Sequence, residues 1–151
     1  MSDIYDIDFV EWSERQAELL RRVAAGEAVN EPPDWLNIAE EIGSLGKNQG
    51  RELASRIGVI LVHLIKLQAS PATEPRAGRR ETIRRERDEI EQLLADAPSL
   101  RERVPAVIER MIPRARTRAA EALADNGETP QADPGLIAYA ADQVLGDWLP
   151  E

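Results

Sequence analysis

Residues 53–67 read Leu53-Ala54-Ser55-Arg56-Ile57-Gly58-Val59-Ile60-Leu61-Val62-His63-Leu64-Ile65-Lys66-Leu67, and their spacing decides the fold. Ile57, Ile60, Leu61, Leu64 and Leu67 recur every three to four positions, which places them on one face of an α-helix. Ile57 to Val62 alone has the β-branched composition of a strand, but the length and the periodicity on either side favour helix. Extended upstream, the same face takes in Ile38, Ile42, Leu45 and Leu53. An unbroken helix over 36–67 would be about 48 Å long. Gly43, Gly46, Gly50 and Gly58 lie inside it, each costing about 1 kcal/mol relative to alanine. They mark either a bend around 43–50 or the close approach of a neighbouring helix. Asp34 or Asn37 can cap the start, with Glu40 and Glu41 in the first turns, where the helix dipole favours negative charge.

Working outward, Asp8 can cap an earlier helix, with Glu11 completing a capping box and Phe9, Trp12, Leu19, Leu20 and Val23 at helical spacing. Gly26 suits the left-handed position after its end. Downstream, 69–78 reads as a loop because of Pro71, Pro75 and Gly78. A third helix over 79–97 buries Ile83, Ile90, Leu93 and Leu94. Ser99 and Glu102 form a capping box for a fourth, whose face is Leu100, Val104, Val107, Ile108, Met111, Ala115, Ala119 and Ala122. Pro105 sits late for that start, and Pro113 predicts a kink near 109–113. After a turn over 125–133, a short terminal helix turns Ile137, Ala141, Val144, Leu145 and Trp148 inward. The expected fold is all-α: one domain over 1–151, a bundle of four main helices plus a short C-terminal helix. Trp12, Trp35 and Trp148 are its expected packing anchors.

At 151 residues the chain has the size of one domain and needs no staple to hold a core. It has no cysteine, which excludes disulfides, thiolate zinc sites, iron–sulfur clusters and cysteine nucleophiles. The acidic start from Met1 to Asp6 is not a secretory signal, and Ile57 to Ile65 is too short an apolar run to span a membrane. A bacterial-type cytoplasm is the expected setting. The net charge of −9 is uneven. Residues 76–118 hold 12 arginines against 8 acids, whereas residues 119–151 hold 7 acids and no base. Any nucleic-acid reading must rest on that arginine-rich island.

Several stretches together resemble one bacterial family, the domain of unknown function 29. They begin with Tyr5-Asp6-Ile7-Asp8-Phe9-Val10-Glu11-Trp12 and Gln16-Ala17-Glu18-Leu19-Leu20-Arg21. The sharpest is Asn37-Ile38-Ala39-Glu40-Glu41-Ile42-Gly43-Ser44-Leu45-Gly46. Arg51-Glu52-Leu53, Val62-His63-Leu64-Ile65-Lys66, Thr82-Ile83 with Arg87, Ala97-Pro98-Ser99-Leu100-Arg101 and Gln143-Val144-Leu145 through Trp148-Leu149-Pro150 follow in family order. The resemblance covers essentially the whole chain. It implies a compact helical bundle and no particular activity. Two positions depart from the pattern: Arg79 stands where a tryptophan is usual, and Glu86 where a glutamine is usual.

His63, the single histidine, sits at the edge of the apolar face and is the weak catalytic candidate, with Glu41 and Glu52 on the same stripe. Eleven-residue steps turn that stripe by only about 20° but rise about 16 Å each, so the three cannot share one substrate atom or metal. The structural alternative is a hydrogen-bonded, partly buried histidine that fixes helix register. Glu40-Glu41 lacks the glutamate-x-x-histidine pairs of carboxylate-bridged metal bundles, so no metal is expected, and no cofactor. Ser44, Ser55 and Ser99 lie in no nucleophile-elbow pattern. Arg79, Arg80, Arg84 and Arg87 could hold phosphate oxygens, but acids interleave with them and no aromatics stand ready to stack on bases.

The expected function is a non-enzymatic interaction protein that offers a helical surface to a protein partner. Nucleic-acid binding through the arginine-rich third and fourth helices is the alternative, and a small enzyme centred on His63 a second. No membrane partner is expected, and the sequence leaves the oligomeric state open.

Overall fold

Asp3 and Asp8 each start a helix by giving a carboxylate oxygen to a backbone N–H. Asp3 accepts from Tyr5 at 3.3 Å to open α1 (Ile4–Ile7), and Asp8 accepts from Glu11 at 3.0 Å to open α2 (Phe9–Ala24). The computed structural model describes residues 3–151, so the first two residues of the acidic start lie outside the described ones. Gly26 stands just past α2 with φ +76°, the left-handed geometry that ends a helix. Asp34 opens α3 (Trp35–Ala69), taking the Asn37 amide side chain at 2.7 Å. α3 runs from Trp35 to Ala69 without a break in its helical turns. Among the described residues there is no strand, and four long helices with a short C-terminal one make the fold all-α.

The chain's contacts gather into two compact units, the first ending at Asn48 and the second running Gln49–Glu151. In the first, α2 and the start of α3 are joined by a small polar knot. Trp12 Nε1 donates to Asp34 Oδ2 at 3.0 Å, and the Asp34 N–H donates to Gln16 Oε1 at 2.8 Å. Trp12, Gln16, Leu19, Pro33 and Ile38 are buried around it. Tyr5 packs edge-on against Trp12, with ring centroids 4.8 Å apart, and gives its hydroxyl to Glu41.

The second unit holds the aliphatic core. Leu53, Ile57, Ile60, Leu61, Leu64 and Leu67 of α3 pack with Ile83, Ile90 and Leu94 of α4 (Arg76–Asp96) and with Val104, Ile108, Ala119 and Leu123 of α5 (Val104–Asp125). The tail adds Ile137, Tyr139 and Val144, the last from α6 (Ala141–Leu145). A Cβ at Gly58 would lie 3.0 Å from the Met111 methyl, so this glycine is what lets α5 come close to α3.

Several expectations change. α4 starts at Arg76 rather than 79, because its first turn tolerates Pro75 immediately before it. Residues Pro98–Arg103 form a 3-10 helix with no side-chain cap, so the Ser99–Glu102 box does not form. α5 begins at Val104, which puts Pro105 in its first turn rather than late. The helix runs unbroken through Pro113, and Leu123 rather than Ala122 faces the core. Of the expected anchors only Trp12 is buried; Trp35 and Trp148 are exposed. Ile42 and Leu45 belong to the periodic face of α3 yet are 65% and 67% exposed.

The two kinds of leucine should respond differently to truncation. Leu64→Ala, in the middle of the core, is expected to cost about 2–5 kcal/mol. Leu136→Ala, on an exposed leucine of the same unit, should stay within about 0.5 kcal/mol. Urea unfolding followed by circular dichroism measures both, and equal losses would contradict this placement of the core.

Candidate functional site

In the second unit a largely polar stripe runs beside the apolar face of α3: Glu52, Arg56, His63 and Lys66, continued by Ser70 just past the helix end and interrupted by Val59, in steps of three or four residues. Along α4 it meets the two charged residues that are buried, Arg79 and Glu86. At one end Arg56 gathers Glu86 and Glu52 at 3.0 Å and Glu89 at 3.5 Å. Burial opposes the Arg56 charge, but hydrogen bonds to Glu52 and Glu86 outweigh it and hold the guanidinium above its ordinary pKa. At the other end Arg79 lies 3.7 Å from Glu128, whose other carboxylate oxygen accepts from the buried Ser70 hydroxyl. Burial and the Arg79 charge lower the Lys66 pKa, against the pull of Glu128.

His63 lies between these ends, half-buried, with Nδ1 at 2.9 Å from the Val59 carbonyl of its own helix. That bond makes Nδ1 the donor and leaves Nε2 as the lone-pair nitrogen. Burial lowers its pKa. The Lys66 and Arg79 charges act in the same direction, while the Val59 bond and Glu86 act against it. Glu41 and Glu52 do not join it: Glu41 takes the Tyr5 hydroxyl and Glu52 takes Arg56. Among the described residues no three His, Cys, Asp or Glu side chains cluster as metal ligands. A shallow pocket of about 330 Å³ opens beside the stripe, lined by Ala72, Pro75, Arg79, Asn126 and Glu128. Its acid and base face each other rather than converging on a third point.

The arginine island divides by what each guanidinium touches. Arg76 gives Nη1 to the Leu67 carbonyl at 2.7 Å, and Arg79 gives Nη1 to the Lys66 carbonyl at 3.4 Å. Arg87 holds three tail carbonyls, those of Val144, Gln143 and Trp148, at 2.7–2.9 Å. Arg116 takes the Ile137 carbonyl at 2.7 Å. Arg80 has a buried Nε with no hydrogen-bond partner among the described residues. Of the four expected phosphate contacts, then, Arg79 and Arg87 bind backbone, Arg80 is partly covered, and Arg84 alone is exposed. Arg110, Arg114 and Arg118 of α5 are also exposed, four residues apart on one face. The reading from sequence missed Arg56, Lys66, Ser70 and Glu128. Their three-and-four spacing beside the apolar run was the available signal.

The first unit contributes a different surface. Ile7, Phe9, Val10, Val23, Trp35, Leu36, Ile42 and Leu45 are exposed there, against only Leu136 and Trp148 in the larger second unit. Gly43 and Gly46 lie among them, and a Cβ at either would meet nothing within 4 Å.

His63 gives the second unit a pH dependence of known sign. Its folded pKa lies below the unfolded value of about 6.5, so below that pH the unfolded chain binds the extra proton first. Stability should therefore fall as pH drops from about 6.5 through the folded pKa, and be unaffected by this group at higher pH. Thermal melts of wild type and His63→Gln at pH 7.5, 6.5 and 5.5 test this. The wild type should lose more stability than the variant over the lower interval, and parallel slopes would refute it.

No curated protein and no solved structure matches this chain. Among the described residues no helix is long and apolar enough to cross a membrane. A family model does match, over residues 4–149, which is nearly the whole length of the helical fold described above. The chain thus belongs to the family described as domain of unknown function DUF29.

Proposed function

We propose that this chain is a non-catalytic, cytoplasmic interaction protein that engages a protein partner through the apolar helical surface of its first unit. The observation that carries this is the uneven exposure of large apolar side chains: of the ten exposed ones among the described residues, eight, Ile7, Phe9, Val10, Val23, Trp35, Leu36, Ile42 and Leu45, lie before Asn48. Single exposed leucines are ordinary on a protein surface, whereas apolar residues concentrated in one region mark an interaction site. Aromatics are scarce here, with three tryptophans in all, and one of them, Trp35, is exposed on this surface. Exposed tryptophan is a typical anchor of protein interfaces. The polar stripe around His63 supports a structural role better than a catalytic one, since Arg56 and Arg79 are paired with acids and His63 Nδ1 is held by the Val59 carbonyl.

The double variant Ile42→Asp/Leu45→Asp tests this reading. Both side chains are exposed, so the melting temperature should stay within a few degrees of wild type, as for surface substitutions generally. Any complex isolated with the full chain should be lost. A complex that survives both charges would refute the surface.

A second reading has its own observation. Arg110, Arg114 and Arg118 form an exposed row on α5, and no hydrogen bond or ion pair engages them among the described residues. Such a row could follow a phosphate backbone, binding without reading sequence. Gel retardation at low salt that disappears in Arg110→Glu/Arg114→Glu would favour nucleic acid. Absence of retardation in the wild type would dispose of it.

A further inference from the structure

The partner of the apolar surface can be narrowed from α3 itself, an inference that rests on the interaction reading above. At 100° per residue, Ala39, Gly43 and Gly46 fall within about 60° of one another. Ala39 is exposed, and nothing stands within 4 Å of a Cβ built at either glycine. The first unit therefore leaves an open track along this helix. Trp35 and Ile42 border it on one side, 55% and 65% exposed, and Leu36, 86% exposed, borders it on the other. A floor of small residues between apolar walls lets a second helix lie close, because the interaxial distance depends on the side chains at the contact.

Charge says which helix. Glu40 and Lys47 share the Leu36 edge of the track, two turns and about 10 Å apart. Both are exposed, and neither makes a hydrogen bond or ion pair among the described residues. The acid precedes the base along the chain. A second copy running antiparallel brings each Glu40 opposite the other copy's Lys47, twice per interface. A parallel two-fold copy sets this charged edge against the other copy's Trp35 and Ile42 edge, where neither charge is answered. An unrelated partner would have to carry the matching order by coincidence, whereas a two-fold interface is self-complementary by construction.

We infer that a second copy of this chain covers this face, with the two α3 helices antiparallel, residues 40–47 of one opposite 47–40 of the other, and the two-fold axis passing between Gly43 and Ser44. The apolar walls supply the attraction and the Glu40–Lys47 pairs fix the direction.

Analytical ultracentrifugation of the full chain should show a reversible dimer. Glu40→Lys and Lys47→Glu should each weaken it by about tenfold, since each turns two attractive edge contacts into repulsive ones. An equimolar mixture of the two variants, and the double swap in one chain, should both recover the wild-type affinity. Gly46→Leu should be monomeric while keeping its helical circular dichroism, because nothing lies within 4 Å of a Cβ at that position. A wild type that stays monomeric at the highest attainable concentration overturns the inference, as does dimerisation that ignores Gly46→Leu or shows no rescue in the mixture. A photo-crosslinking residue at Ile42, activated in cells, distinguishes a second copy from an unrelated partner. A product containing only this chain at twice its mass supports the second copy. Capture of a different protein overturns the second copy and leaves the interaction surface standing, and no product at all overturns both.

Discussion

The buried C-terminus of α3 is the constraint on which the second unit depends. Every helix leaves its last carbonyls short of intrahelical partners, and at this end Leu67, Ala69 and Ser70 are almost wholly covered. The last four carbonyls each receive a donor from elsewhere in the chain. The Lys66 carbonyl takes the Ser70 N–H at 2.9 Å and Arg79 at 3.4 Å, Leu67 takes Arg76, Gln68 takes the Gln131 amide side chain, and Ala69 takes the Gln131 backbone N–H at 2.8 Å. Two of the donors are cationic and sit at the negative end of the helix dipole, where positive charge is favoured. One helix end thereby fixes the start of α4 and the turn before the tail. Ser70 adds a hydroxyl bond to Glu128, and Glu128 in turn faces Arg79.

The same chemistry recurs along the tail and explains the composition of the island. A segment with little regular structure must still satisfy its carbonyls where it is covered. Arg87 serves three of them and Arg116 a fourth. A guanidinium suits this work because it offers five donors in a fixed fork and stays charged when partly buried. Burial lowers the Arg87 pKa, but a guanidinium begins so far above neutrality that it keeps its proton. A cluster of arginines in sequence is therefore ambiguous between a nucleic-acid surface and internal scaffolding. Here the difference lies in what each side chain reaches: Arg76, Arg79, Arg87 and Arg116 reach carbonyls, and Arg110, Arg114 and Arg118 reach solvent.

Helix existence was legible because periodicity is a local property. The Asp8 cap, the Gly26 stop and the core residues Ile57 to Leu67 all follow from neighbours within one or two turns. What covers a face is not local. Ile42 and Ile57 look alike in the pattern, yet one is exposed and the other fully buried. Helix starts around proline were also misread. Pro98 opens a 3-10 segment that displaces the Ser99 cap, and with the start moved to Val104, Pro105 becomes ordinary. The candidate site was half visible. His63 stood out for its chemistry, whereas Arg56 and Glu128 were indistinguishable from surface charge until their partners, 30 or more residues away, were placed beside them. Arg79 and Glu86 are the two buried charged side chains among the described residues. Each is paired with an opposite charge, Glu128 for one and Arg56 for the other, as burial of a charge requires.

The glycines of α3 bring these strands of reasoning together. Gly58 has an explanation inside the chain, because Met111 occupies the space its side chain would need. Gly43 and Gly46 have none, although a glycine in a helix interior costs as much at 43 as at 58. The core beside Gly58 returns that cost through close packing between α3 and α5. At Gly43 and Gly46 the chain offers no packing in return, and the large side chains around them are exposed as well. A helix that is weakened and left apolar at the same place is consistent with packing completed by a molecule other than the chain itself. The order of Glu40 and Lys47 then gives the direction in which that molecule runs.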